Sequence, residues 1–310
     1  MTTPDFLKKK DKIAIVATAR KVSSEEIQPS LDLFRSWGLE VVYDERLFAA
    51  DNQFAGPDDL RAACLQQYLD NPDIKAIVCA RGGYGTVRII DRLDFSAFAR
   101  NPKWIVGYSD VTVLHSHINK CLSISTLHAT MPLNIPADAT EKPYPATESL
   151  KAALFGNLHG YSVLQLATPA AAYSRNGHCR GQLVGGNLSI LYSLCGSASD
   201  IDTAGKILFI EDLDEYLYHI DRMMQNLKRT GKLHALKGLL VGAMSDMHDN
   251  AIPYGKNAQE IVLEAVADCD FPVFFCDNFG HVGTQNLALP LGAETEMAVN
   301  EGEASLKFCW

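Results

Sequence analysis

The chain has 310 residues, 47% of them hydrophobic and 21% charged, the balance of a globular protein that can bury one large core or two of ordinary size. Its 28 basic and 37 acidic side chains leave a formal charge of −9, which argues against a general nucleic-acid binder, since such proteins present a basic surface. No apolar run approaches the ~18 residues of a membrane span, and the lysine-rich start leads into a short strand-like run in place of a signal peptide's apolar segment.

In chain order, residues 13–16 (IAIV) form a continuous apolar run, expected of a strand buried on both faces. Ser23-x-x-Glu26 reads as a capping box, followed by Ile27, Leu31 and Phe34 at helical spacing and by Gly38 as a stop. Residues 39–43 read as a strand, 57–69 as a helix and 74–80 as a third strand. Glycines 82, 83 and 85 follow, then a helix near 87–93. A fourth strand at 104–106, a helix at 111–118 and a fifth strand at 122–127 complete this half. Strands separated by helices imply right-handed crossovers and a doubly wound parallel sheet. Residues 132–145 and 167–172 are rich in Pro, Ala and Thr and mark a boundary. The second half restarts near residue 178, with strands at 206–210, 239–243 and 273–276 and helices near 220–227 and 258–267. Segments 286–291, 296–299 and 304–308 read as short antiparallel strands. The expectation is an N-terminal parallel-sheet domain over 1–166, a linker over 167–177, and a C-terminal α/β domain with a β-rich portion over 178–310.

In an open parallel sheet, functional groups collect beyond the carboxyl ends of the strands. Three such ends carry Ser109 (GYSD), Glu211 (FIEDLDE) and His281 (FGH). Strand–Gly-x-Ser–helix resembles a nucleophile elbow, although Val111 stands where a second glycine is usual, and a plain helix-capping serine fits the same letters. Gly82-Gly83-x-Gly85 departs from GxGxxG; it suits a phosphate cradle, an oxyanion loop or a bare tight turn. His281 lies between Gly280 and Gly283 in a constrained loop, where a structural histidine is the ordinary expectation. The acidic run 211–215 and Asp246-x-His248-Asp249 are weak metal-like clusters, and the eight cysteines form no CxxC pair. No metal or organic cofactor is expected, and the reduced cysteines point to a cytoplasmic setting.

Taken together, ARGGYGTVRIIDRLD (80–94), IVGYSDVTVLH (105–115), GGNLSILYSLCG (185–196), KILFIEDLDEYLYHIDRMMQNL (206–227) and FGHVGTQNLALPLGA (279–293) resemble the LD-carboxypeptidase family of serine peptidases. That family includes muramoyltetrapeptide carboxypeptidases and microcin C immunity hydrolases. The resemblance runs from about residue 12 to 300. It implies Ser109 as nucleophile, Glu211 as the carboxylate and His281 as the base, with the amides of Gly83 and Asp110 as oxyanion donors. It also implies a murein peptide substrate, no nucleic-acid or membrane partner, and a homodimer as the assembly to test. Leu127–Pro132 replaces a Gly-Pro-Met motif of many members, and the loop after His281 is variable ground. An immunity-type hydrolase acting on a peptidyl nucleotide would use the same triad. A nucleotide-binding module would leave Glu211 and His281 unexplained. Arg81, Arg88 and Arg180 are candidates for gripping a terminal carboxylate, because a guanidinium suits it bidentately.

Overall fold

Burial of β-branched runs sets the layout of the first sheet in the computed structural model, which describes residues 1–301 and 303–310. Strands β1 (Lys12–Val16), β2 (Glu40–Val42), β3 (Ile74–Cys79), β4 (Trp104–Gly107) and β5 (Thr126–His128) pair in parallel in the order β5-β4-β3-β1-β2. Ile13, Ile15, Ile77, Val78, Ile105 and Val106 are all buried, as two-sided coverage by helices requires. Helix α1 (Ser24–Ser36) opens with the expected capping box: Ser23 N–H donates to Glu26 at 2.7 Å, and Glu26 N–H donates to Ser23 at 3.3 Å. Its stop, Gly38, has φ +85°. Helices α2 (Asp58–Asp70), α3 (Ser96–Arg100) and α4 (Thr112–Leu122) complete the crossovers.

The helix expected near 87–93 is instead two 3₁₀ turns, Thr86–Arg88 and Ile90–Arg92. Gly85 enters them at φ +146°, and Thr86 N–H is held by the buried Asp110 carboxylate at 2.8 Å, so the segment is pinned before a helix can propagate. The fifth strand also starts later than expected, because α4 runs to Leu122 and is closed by Ser123 at φ +54°.

After α5 (Pro145–Leu154), β6 (Gly160–Tyr161) and α6 (Val163–Leu166) comes the second sheet. Strands β7 (Gly177–Asn187), β8 (Ile207–Leu213), β9 (Gly238–Ser245) and β10 (Val273–Phe275) are parallel to one another, with α7 (Leu188–Leu194), α8 (Leu217–Arg229) and α9 (Ala258–Ala265) between them. The β-rich portion is the antiparallel pair β12 (Glu294–Asn300) and β13 (Glu303–Cys309), seated on β7. Two strands cross the expected boundary. β6 extends this second sheet by pairing with β13, whereas β11 (Leu289–Leu291) adds antiparallel to β5 at the edge of the first sheet. Segment 286–291 thus leaves the terminal antiparallel group. The two sheets meet near their carboxyl ends, where His128 of β5 lies 4.0 Å from Glu211 of β8 and the Tyr108 ring, just beyond β4, lies 4.9 Å from that of His281. Among the described residues no helix is long and apolar enough to cross a membrane.

Candidate active site

Ser109 follows β4 in a sharp turn. Gly107 leaves the strand at φ +154°, Tyr108 is extended, and Ser109 itself has φ +62°, a conformation uncommon for a side-chain-bearing residue and stored only where its surroundings enforce it. The chain then enters a 3₁₀ turn, Ser109–Val111, and α4. This is the strand–serine–helix elbow, without its second glycine. Gly82 lies against it: a Cβ there would fall 2.8 Å from Ser109 Oγ and 3.4 Å from the Asp110 amide nitrogen. The first loop glycine is therefore needed for close approach to the hydroxyl. The second, Gly83, has φ +110°. Asp110 is buried and ties this loop to the elbow through Thr86, and burial pushes its carboxyl above the usual range. Buried Arg61 fastens the same loop from below, donating to Gly85 O at 2.9 Å.

Glu211 lies in β8 opposite Asn187 of β7 and is fully buried. Two glycines make room for it. A Cβ at Gly280 would meet Glu211 Oε2 at 2.5 Å, and one at Gly242 would meet its Cβ at 3.0 Å. Glu211 Oε2 accepts a hydrogen bond from His281 Nδ1 at 2.7 Å. Burial opposes the ionised carboxyl, yet the imidazoles of His281 and His128 outweigh it and hold Glu211 well below the usual carboxylate range. The same competition acts on His281: burial lowers its pKa, but the Glu211 charge prevails and raises it. The loop carrying His281 is anchored by Ser245 Oγ donating to His281 O at 3.0 Å and by Gly280 N–H donating to Asn286 at 2.9 Å.

His281 and Ser109 are bridged by packing. The Tyr108 ring meets the His281 ring edge-on at 4.9 Å, so the residue before the serine touches the histidine. Among the described residues no hydrogen bond joins the serine to the imidazole; a resting gap of this kind is ordinary before substrate binds. Nδ1 is the ring nitrogen committed to Glu211.

Other groups are sorted by the same geometry. Arg180 pairs with Glu294 and Glu296 at 3.1 and 3.4 Å, seven residues before Asn187 and so at the opposite end of β7 from the crevice. Arg88 is held by Asp58 at 2.8 Å, while Arg81 donates to Lys21 O at 3.2 Å. In the weak cluster, His248 hydrogen-bonds Asp214, and Asp249 accepts from Tyr254 N–H. No group of three or more His, Cys, Asp or Glu is gathered for a metal among the described residues.

Sequence reasoning flagged the segments holding His128 (127–132) and Asp212 (the acidic run 211–215) without assigning either residue a part in the site. His128 ends β5, is fully buried, and places Nε2 4.0 Å from Glu211 Oε1. Its signal was faint, because the expected strand stopped one residue short of it. Asp212 accepts from Asn187 Nδ2 at 2.8 Å and from Ser189 N–H at 2.9 Å, locking the GGN turn to β8. Burial, reinforced by Glu211, pushes its carboxyl up to about 7.

A crevice between two α/β sheets, with a serine elbow on one side and a carboxylate–imidazole pair on the other, is the arrangement of a serine hydrolase. Residues 13–129 match the model of the LD-carboxypeptidase N-terminal domain and 180–297 that of the C-terminal domain. The chain belongs to the LD-carboxypeptidase family of serine peptidases. It is 33% identical to a probable murein peptide carboxypeptidase of Bacillus subtilis, over 98% of this chain and 94% of that one. The crystal structure of muramoyltetrapeptide carboxypeptidase from Oxalobacter formigenes superposes with a TM-score of 0.83 at 26% identity, covering 96% and 98% of the two chains. The fold is shared with MccF, solved in complex with glutamyl sulfamoyl guanosine, at a TM-score of 0.85, 20% identity and 99% and 98% coverage.

Proposed function

We propose that this peptidase removes the terminal D-alanine of a murein tetrapeptide by cleaving the L,D-peptide bond, in cytoplasmic recycling of cell-wall fragments. Ser109, from the unit formed by residues 1–166, is the nucleophile; Glu211 and His281 come from residues 178–310, with 167–177 linking the two. His281 takes the Ser109 proton as Oγ attacks the scissile carbonyl, and Glu211 orients the ring and stabilises the imidazolium. The amides of Gly83 and Asp110 receive the developing oxyanion. Collapse of the tetrahedral species breaks the C–N bond, and His281 gives its proton to the departing D-alanine amine. Water then enters by the reverse sequence and frees the acyl group from Ser109.

The observation that carries this reading is the 2.7 Å Glu211–His281 pair facing, across Tyr108, a serine at φ +62°. The Bacillus and Oxalobacter relatives support the substrate class by their names. Mass spectrometry of purified tetrapeptide incubated with the wild type and with Ser109→Ala tests it. The wild type should release one D-alanine and the variant essentially none; intact tetrapeptide with both would overturn it.

One feature favours a second reading. Tyr216 and Tyr218 are exposed just beyond β8, their rings 5.6 Å apart, and could stack a nucleobase. A peptidyl nucleotide in the same assay, hydrolysed faster than tetrapeptide, would select the immunity-type activity.

A further inference from the structure

A carboxypeptidase must place its substrate's free carboxylate very close to the scissile carbonyl. Only the amide nitrogen and one Cα separate the two carbons, so covalent geometry keeps them within about 4 Å. Any cation that grips the carboxylate therefore has to border the oxyanion loop. That requirement removes Arg180, at the far end of β7, and Arg88, which Asp58 already holds.

Arg20 meets it. It stands four residues beyond β1, at the carboxyl edge of the first sheet, and its backbone is fixed by a bridge to Phe54. Its side chain lies across the second loop glycine: a Cβ at Gly83 would fall 2.6 Å from Arg20 Cδ and 2.9 Å from Nε. The neighbouring glycine, Gly82, makes the equivalent approach to Ser109 Oγ at 2.8 Å. Consecutive Cα atoms are 3.8 Å apart, so adjacent glycines lie under the nucleophile and under the guanidinium stem. Arg20 is exposed and, among the described residues, forms no ion pair with a carboxylate. In a chain of net charge −9, a guanidinium left without a carboxylate beside the nucleophile is the group an anionic terminus would meet.

We propose that Arg20 is the specificity-determining residue that binds the free terminal carboxylate of the substrate, as a two-pronged guanidinium–carboxylate pair. This rests on the carboxypeptidase reading above. Arg81, whose guanidinium already donates to Lys21 O, is the nearby control.

The test compares kcat/KM on free tetrapeptide and on its C-terminal amide for the wild type, Arg20→Ala, Arg20→Lys and Arg81→Ala. A charge-assisted pair of this kind corresponds to about a 10- to 100-fold preference. In Arg20→Ala the rate on the free acid should fall by that factor while the rate on the amide changes little. Arg20→Lys should recover part of the preference, and Arg81→Ala should keep it. Loss of the same factor on both substrates, or retention of full preference by Arg20→Ala, would overturn the role of Arg20 while leaving the carboxypeptidase reading intact. Failure of the wild type to release D-alanine from the free acid would overturn both. Calorimetric binding of free and amidated tetrapeptide to the inactive Ser109→Ala protein, with and without Arg20→Ala, reads the same preference without turnover.

Discussion

Ser109, Glu211 and His281 are held by different means, so their substitutions should fail differently. If Ser109 is the nucleophile as proposed, Ser109→Ala removes the attacking atom and should lower kcat by about 10⁶, measured on tetrapeptide; Glu211→Gln leaves a hydrogen-bonding group of the same shape and should cost about 10²–10⁴. The pH dependence separates them further. In the proposed mechanism the base works only when neutral, and the Glu211 charge raises the pKa of His281 against its burial. The acidic limb of kcat/KM should therefore have its midpoint above the ordinary 6.5. In Glu211→Gln the main charge opposing burial is gone and only the weaker pull of Asp212 remains, so the limb should move to lower pH. Initial rates across pH 5–9 check both, and an unmoved limb in Glu211→Gln would refute the coupling.

At the level of elements, glycines decide whether strands and turns can bring these groups together. Gly280 has φ +104°, and a Cβ there would collide with the Glu211 carboxylate. Gly280→Ala combines backbone strain with overpacking and should lose about 2–4 kcal/mol in urea unfolding, together with activity. Gly82 is not at positive φ; its constraint is the approach to Ser109. Gly82→Ala should accordingly reduce turnover by more than about 10² by displacing the loop proposed to bind the oxyanion, while moving the melting temperature little. The pair distinguishes a glycine that the fold needs from one that the nucleophile needs.

Across the whole molecule, the two sheets are stitched by exchanged strands. β11 closes the edge of the first sheet, and Tyr161 from the first half donates to Ala288 O at 2.7 Å. Trp310 reaches back to Trp104 of β4 with ring centroids 5.7 Å apart, and its indole N–H donates to Leu158 O at 2.6 Å. Unfolding should be a single transition, with tryptophan fluorescence and far-UV circular dichroism coinciding. Trp310→Ala should destabilise by about 2–3 kcal/mol, below the cost for a fully buried tryptophan because this one is only partly covered. Two separated transitions would show that the halves fold independently.

Local chemistry made much of this legible in the chain itself. Apolar runs such as 13–16 and 74–80 read as covered strands, Ser23 and Glu26 wrote their own capping box, and GYSD falls at the end of β4, whereas Glu211 of FIED lies inside β8 and FGH begins four residues beyond β10. What a linear pattern does not encode is which distant ends share a crevice. The departure of 289–291 to the first sheet, the replacement of the 87–93 helix by 3₁₀ turns, and the burial of His128 against Glu211 all depend on partners distant in sequence, as far as Leu291 from Thr126. Arg20 was silent in sequence for the same reason. Its neighbour Gly83 is 63 positions distant, and only the packing of β1 beside β3 carries the guanidinium stem over the loop that serves Ser109.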